Sequence, residues 1–297
     1  MRLQIRHLTR YRYEHPVVSS QHVAMLCPRD GFGQRRLSHT LQIDPAPAQR
    51  HDDIDAYGNR RTHFAIAQPH TELDVLAESM VETQPPAQPT DDQPWEALQR
   101  QLQRGADATS RVLQPYTMAS PHVGPDALGD PELRAYTLQS LVPGGGWLDG
   151  CRDLATRLHR DWTYAPGSTR VDTPPLQAFR QRAGVCQDYA HVMIAALRAL
   201  GLPARYVSGY VWNEPPPGQP RLLGADASHA WVAVPHAGRW FHLDPTNHRW
   251  GWDRPDEGFV TLAFGRDYGD VSPLRGTLQG GGAHTLAVAV SVTAARP

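Results

Sequence analysis

The stretch GVCQDYAHVMIAALRALGLPARYVSGY, Gly184 to Tyr210, decides the fold. Between Gln187 and Leu200 the apolar residues Ala190, Met193, Ile194, Leu197 and Leu200 recur at three- and four-residue spacing, which predicts a helix with one buried stripe. Asp188 falls in its first turn, where a carboxylate meets the positive helix end, and Gly201 and Pro203 stop it. The run ARYVSGYVW, rich in β-branched and aromatic residues, predicts a strand directly afterwards. Cys186 therefore stands at a helix start, where the macrodipole favours thiolate over thiol.

Downstream lie GADASHAWVAV (Gly224 to Val234) and WFHLDPTN (Trp240 to Asn247). The alternation from His229 to Val234 predicts a second strand, and Arg239 to Leu243 a third, joined by a turn at His236-Ala237-Gly238. In adjacent antiparallel strands, His229 and Asp244 share one end of the sheet, within reach of the helix start that carries Cys186. A Cys, then a His, then an Asp points to cysteine-nucleophile acyl chemistry, with a base and its orienting partner. The competing readings are a small buried hydrophobe for Cys186, a satisfied core residue for His229 and a turn cap before Pro245 for Asp244. Cys27 and Cys151 have no such partners in the sequence and read as structural.

Upstream, residues 1–83 alternate short strands with turns: Arg2 to Tyr13, Gln21 to Leu26, Leu37 to Asp44, His63 to Ala67 and Leu73 to Val81. This spacing predicts an N-terminal β-sandwich. Residues 84–94 (QPPAQPTDDQP) read as a Pro-rich linker, too dense in proline for a helix. Helices are expected at Pro94 to Gln103, Pro131 to Leu141, Asp149 to Trp162 and Pro174 to Ala183, ahead of the Cys186 helix. Helices followed by strands make residues 95–297 an α+β catalytic unit.

The strings GVCQDYAH, GLPARYVSGY, GADASHAW and DPTN, in that order, resemble bacterial transglutaminase-like proteins of the papain-like cysteine superfamily. TRYRYEHPV, Pro28-Arg29-Asp30 and DAYGNR (Asp55 to Arg60) resemble the β-rich region preceding that family's catalytic core, and GRDYGDVSPLRG (Gly265 to Gly276) its closing segment. The likeness covers nearly the whole chain and is thinnest between about Gln84 and Gly146. It implies helices packed on an antiparallel sheet, with Cys186 as nucleophile, His229 as base and Asp244 as orienter. The oxyanion donors expected are the Cys186 backbone N–H and either Tyr164, whose segment WTYAPGSTR resembles the stretch before the nucleophile, or Gln187. Trp231, Trp212 and Asp226 are candidates for the substrate cleft, although a large aromatic on a strand is more often core.

Composition narrows the partners. The 297 residues carry a net charge of −1, with 40 % apolar and 20 % charged residues, which gives no broad electrostatic case for nucleic acid or an anionic membrane. Every basic residue is Arg, and no Lys occurs. Three Cys, an odd number, do not form a disulfide framework, the N-terminus has no apolar leader core and no apolar run is long enough to span a bilayer, so a cytoplasmic setting is expected. His236, His242 and His248 match no zinc-ligand spacing and no EF-hand-type acidic loop is present, so neither metal nor other cofactor is expected. The expected substrate is a peptide, protein or small amide, cleaved by hydrolysis. The alternatives are a protein-glutamine transglutaminase using amine acceptors and a non-catalytic binding module of the same fold.

Overall fold

The first strand, β1 (Arg2–Ala24), buries Leu3, Ile5, His7 and Thr9 while Arg2, Gln4 and Arg6 face solvent, the period-2 pattern of a half-covered strand. Its N-terminal half pairs with β5 (His70–Thr83) and, on the other edge, with β14 (His284–Ala294). Its C-terminal half pairs with β4 (Arg60–Ile66) and β13 (Leu274–Gly280). Register with β5 is interrupted between Arg12 and Val17, around Pro16, which has no N–H to donate. The chain continues through this bend, so the two strands expected at Arg2 to Tyr13 and Gln21 to Leu26 are one.

With β2 (Gln34–Asp44) and β3 (Gln49–Ile54) the order is β2-β5-β1-β4-β3, and the curled antiparallel sheet closes over a core of Val17, Leu41, Phe64, Leu73 and Val75. The computed structural model describes residues 1–105, 107–212 and 228–295. One expectation about organisation is corrected here. β13 and β14, near the C-terminus, complete this N-terminal sheet, so residues 95–297 are not a self-contained second unit. Strand pairing between segments this distant in sequence leaves no local signal.

Six helices, α1 (Trp95–Arg104), α2 (Ala108–Leu113), α3 (Pro125–Gly129), α4 (Pro131–Leu138), α5 (Trp147–Asp161) and α6 (Pro175–Gln181), precede α7 (Cys186–Arg198). The second sheet has the order β11-β10-β9-β8-β12, antiparallel throughout: β8 (Arg205–Val211), β9 (His229–His236), β10 (Arg239–Asp244), β11 (Arg249–Trp252) and β12 (Phe259–Gly265). α7 packs on β8 and β9 and against α3, α4, α5 and α6. Every residue from Asp188 to Arg198 is consequently buried, where the sequence pattern predicted one stripe. The buried Arg198 guanidinium is taken up by the carbonyls of Tyr116, Met118, Ala204 and Arg266 and by Ser120 Oγ, which fixes the C-terminal end of α7. The structure is thus α+β, a papain-like arrangement of helices on an antiparallel sheet behind a β-rich N-terminal region.

The two sheets are tied together at β12, an edge strand whose outer backbone groups would otherwise be unpaired. Gln34 accepts the Thr261 N–H (2.9 Å) and donates to the Thr261 carbonyl (2.9 Å). Asn59 does the same at Phe264 (2.8 and 2.7 Å). Two side-chain amides thus take the place of a neighbouring strand. Asp55 holds the Asn59 turn by accepting the N–H groups of Tyr57 and Asn59, and Arg29 reaches Asn59 Oδ1 at 2.7 Å. The Pro28-Arg29-Asp30 and DAYGNR motifs therefore build a joint between the sheets. The segment 84–94 is also anchored: Gln84 N–H bonds the Gly33 carbonyl, Ala87 C=O accepts the Trp252 N–H, and Asp92 takes the first amides of α5, at Leu148 and Asp149. Among the described residues, no helix is long and apolar enough to cross a membrane.

Candidate active site

Cys186 is the first residue of α7, and the approach to it is held from both sides. β6 (Thr163–Tyr164) pairs in parallel with β7 (Ala183–Gly184), which sets Tyr164 beside Gly184, two residues before the cysteine. A Cβ on Gly184 would lie 2.6 Å from the Asp188 side chain, so only glycine lets that carboxylate fold back. Asp188 Oδ2 accepts the Val185 N–H (2.8 Å) and the Thr169 hydroxyl (2.6 Å), fastening both the helix start and the preceding loop. Burial raises the pKa of this carboxyl, against the pull of the same hydrogen bonds.

His229 opens β9 and Asp244 closes β10, which runs antiparallel to it. His229 Nε2 is 2.7 Å from Asp244 Oδ2. Asp244 is fully buried, and its Oδ1 accepts the N–H groups of Thr246 (2.9 Å) and Asn247 (3.2 Å). Asn247 Nδ2 donates to Oδ2 at 2.7 Å and, sharing that oxygen with the imidazole, lies 3.2 Å from His229 Nε2. Desolvation alone would raise the Asp244 pKa, but His229 and the donated hydrogen bonds hold it below the usual carboxylate range. Burial likewise pulls His229 down, and the Asp244 charge and hydrogen bond, joined by a hydrogen bond and charge from Cys186, overcome it and raise the imidazole to about 10. At neutral pH the ring is therefore an imidazolium held against the Asp244 carboxylate.

The cleft above these groups holds about 860 Å³ and is lined by Cys186, His229, Tyr164, Tyr206, Ser208 and Tyr268, among others. The structure brings Cys186, His229 and Asp244 together, with Tyr164 and Gln187 at the rim of the same cleft. Tyr164 is 52 % exposed. Gln187 turns its side-chain amide to the Val171 carbonyl at 2.9 Å, holding a wall of the cleft.

Trp231 is not in the cleft. It is fully buried, its ring stacks 6.0 Å from that of His229, and its indole N–H is bound to His242 Nδ1 at 2.8 Å. A residue two positions from His229 on the same strand shares its face, so Trp231 lies in the layer beneath the imidazole and supports it. Trp212 is not a lining residue either, since its half-buried side chain packs on the core and its N–H bonds the Gly258 carbonyl. Asp226 lies outside the described residues. Sequence reasoning missed the roles of Asn247 and Asp188. Asn247 stood inside the DPTN string, and Asp188 was read as a first-turn helix residue only.

Residues 3–82 match the bacterial transglutaminase-like N-terminal region, and residues 143–245 match the transglutaminase-like superfamily. An uncharacterized protein of Mycobacterium tuberculosis is 39 % identical over 287 residues, covering 93 % of this chain and 87 % of that protein. A protein-glutamine gamma-glutamyltransferase of Pseudomonas aeruginosa is 36 % identical over 121 residues, 38 % of this chain and 18 % of that one. The crystal structure of a "Putative Cysteine Protease" from Cytophaga hutchinsonii superposes with a TM-score of 0.74 at 21 % identity, covering 99 % of this chain and 90 % of that one, and so shares the fold. The chain belongs to the transglutaminase-like superfamily, as a bacterial member that carries the family's N-terminal region.

Proposed function

We propose that the protein is a cysteine-nucleophile acyl-transfer enzyme that opens carboxamide or peptide bonds through a thioester, with water as its principal acceptor. The observation that carries this reading is the buried His229–Asp244 pair, 2.7 Å apart, opening into the same cleft as a cysteine at a helix start. Cys186 Sγ adds to the carbonyl carbon, and the carbonyl electron pair moves onto oxygen. Collapse of that adduct breaks the C–N bond, and His229 gives its proton to the departing ammonia or amine. The neutral imidazole then takes a proton from water, which attacks the thioester and releases the carboxylate and the thiol. Asp244 fixes the ring orientation and stabilises its charged form. Three free cysteines suit a reducing compartment, and we place the reaction in the cytoplasm.

An amine in place of water would make the same machinery a transglutaminase, a reading favoured by the name of the Pseudomonas aeruginosa relative. A purely binding role would not need the three side chains kept in register. One experiment separates all three: incubate the protein with a panel of peptides and small carboxamides, with and without a primary amine. Ammonia release and product masses are then followed. Free carboxylate products, lost in Cys186→Ala, support the hydrolytic reading. Amine incorporation outrunning hydrolysis moves the assignment to transglutaminase. No turnover across the panel, with Cys186→Ala binding the same peptides, leaves the binding module.

A further inference from the structure

Residues two apart on a strand share a face, and the layer beneath His229 is built around Trp231 for that reason. The indole is seated over Gly209, the cross-strand partner of His229, where a Cβ would fall 2.5 Å from it. The Phe259 ring meets both neighbours edge-on, with centroids 5.3 Å from the indole and 6.0 Å from the imidazole. One hydrogen bond fixes the rotation of the indole. Its N–H donates to His242 Nδ1 at 2.8 Å, across from β9 to β10.

His242 is fully buried. Accepting at Nδ1 leaves its proton on Nε2, and among the described residues that nitrogen has no hydrogen-bond partner. A half-satisfied polar ring in the core costs stability, so packing alone is better served by an apolar side chain. What the position gains is the acceptor. Arg205 from β8 and Arg254 from the turn after β11 are the charged groups that act on the ring. The Arg205 guanidinium lies over the rings of Trp240 (3.8 Å) and Phe264 (3.5 Å), and the Phe264 ring is 6.0 Å from that of His242. Burial, and after it these two positive charges, hold the His242 pKa well below the ordinary histidine range. Nδ1 therefore stays an unprotonated acceptor throughout the working pH range.

We propose that His242 is a positioning residue for the base: by holding the Trp231 indole in one rotation, it keeps a π face against the His229 imidazolium. The inference rests on the acyl-transfer reading, in which His229 carries the proton to the leaving group. The ring centroids of Trp231 and His229 are 6.0 Å apart, with the planes inclined at 27°. The face of an indole attracts a cation, so this contact favours the charged ring and keeps its plane turned toward Asp244. Without the bond to His242 the indole is free to turn, and its buried N–H is left without an acceptor. His229 itself faces Asp244 and Cys186, and neither is altered by a change at residue 242.

The test titrates the His229 imidazole by ¹⁵N NMR in the wild type, His242→Leu, His242→Asn and Trp231→Phe. Leucine removes the acceptor and keeps an apolar side chain in place, whereas asparagine sets a carbonyl oxygen where Nδ1 stood. His242→Leu and Trp231→Phe are each expected to lower the His229 pKa by about 0.5 to 1 pH unit, the size of a lost cation–π contact. His242→Asn should restore most of that loss. An unchanged His229 titration in both His242→Leu and Trp231→Phe overturns the inference. An equal fall in His242→Leu and His242→Asn also overturns it, since the bulk of the ring and not its acceptor would then matter. Should His242→Leu fail to fold, Trp231→Phe, which removes the donor of the same bond, decides the matter alone. The titration needs no turnover, so its failure leaves the acyl-transfer reading standing, and a chain that turns over no carboxamide defeats that reading by a separate measurement.

Discussion

Replacing Asn59 by Ala should unfasten the two sheets at β12. The side chain is fully buried and makes paired bonds to the Phe264 N–H and carbonyl at 2.8 and 2.7 Å. Alanine removes both and leaves two backbone groups of an edge strand without a partner in a place closed to water. At about 1–3 kcal/mol for each unsatisfied group, the loss should be about 3 kcal/mol, relaxation included. With an unfolding entropy of about 2.1 cal/mol/K per residue, a chain of 297 residues loses about 5 °C in Tm. Chemical unfolding in urea, followed by tryptophan fluorescence, measures the first figure and calorimetry the second. Gln88→Ala is the control, because its exposed amide makes one bond, to the Trp250 carbonyl, and should cost under about 0.5 kcal/mol. An Asn59→Ala loss below about 1 kcal/mol would refute the view that these amides stand in for a strand. For the same reason a chain beginning near Pro94 should be insoluble, since it bares β12 and strips β13 and β14 of their partner β1.

Other consequences follow from the buried charges. Asp244→Asn should lower turnover by about 10³- to 10⁴-fold while thiol alkylation at Cys186 continues, because the ring loses its orienting charge and not its place; a loss under about tenfold in steady-state rates would count against the orienter role. His7 and His22, 1 % and 7 % exposed, are each lowered by burial to about 4, His22 with a further push from His70. Between about 4 and the unfolded value near 6.5 the unfolded chain binds more protons. Stability should therefore fall as pH drops through that window, by roughly 1–3 kcal/mol per histidine, and His7→Gln should flatten the fall in urea titrations. The proline-dense segment 84–94 is anchored at Gln84, Ala87 and Asp92, so limited thermolysin digestion should not cut it first, contrary to what its composition alone would predict.

The part of the fold legible in the sequence was the part built from local pattern. α7, β8, β9 and β10 stand where periodicity and turn residues put them, because a helix start, a glycine stop and a two-sided strand alternation each act within a few residues. Long-range pairing was not legible. Nothing near Leu274 or His284 marks those strands as neighbours of β1, and the gap at Pro16 reads as a break although the strand runs through it. α2 and α3 were missed because helices of six and five residues carry too little period to recognise, and they hold their shape by packing. At the site, Cys186, His229 and Asp244 were visible as residue types at element ends. Trp231 was misplaced into the cleft because both sheet faces are covered here, so an aromatic beside the histidine is core.

The central claim, that Cys186, His229 and Asp244 form one charge-coupled set, is tested most directly by titrating the His229 imidazole with ¹⁵N NMR. With Asp244 at 2.7 Å and Cys186 as its other partner, the ring should stay protonated on both nitrogens to about pH 10. It should fall back toward the ordinary histidine range in Asp244→Asn, and part of the way in Cys186→Ala. A His229 that titrates near 6.5 in the wild type, and does not respond to either substitution, would contradict the account.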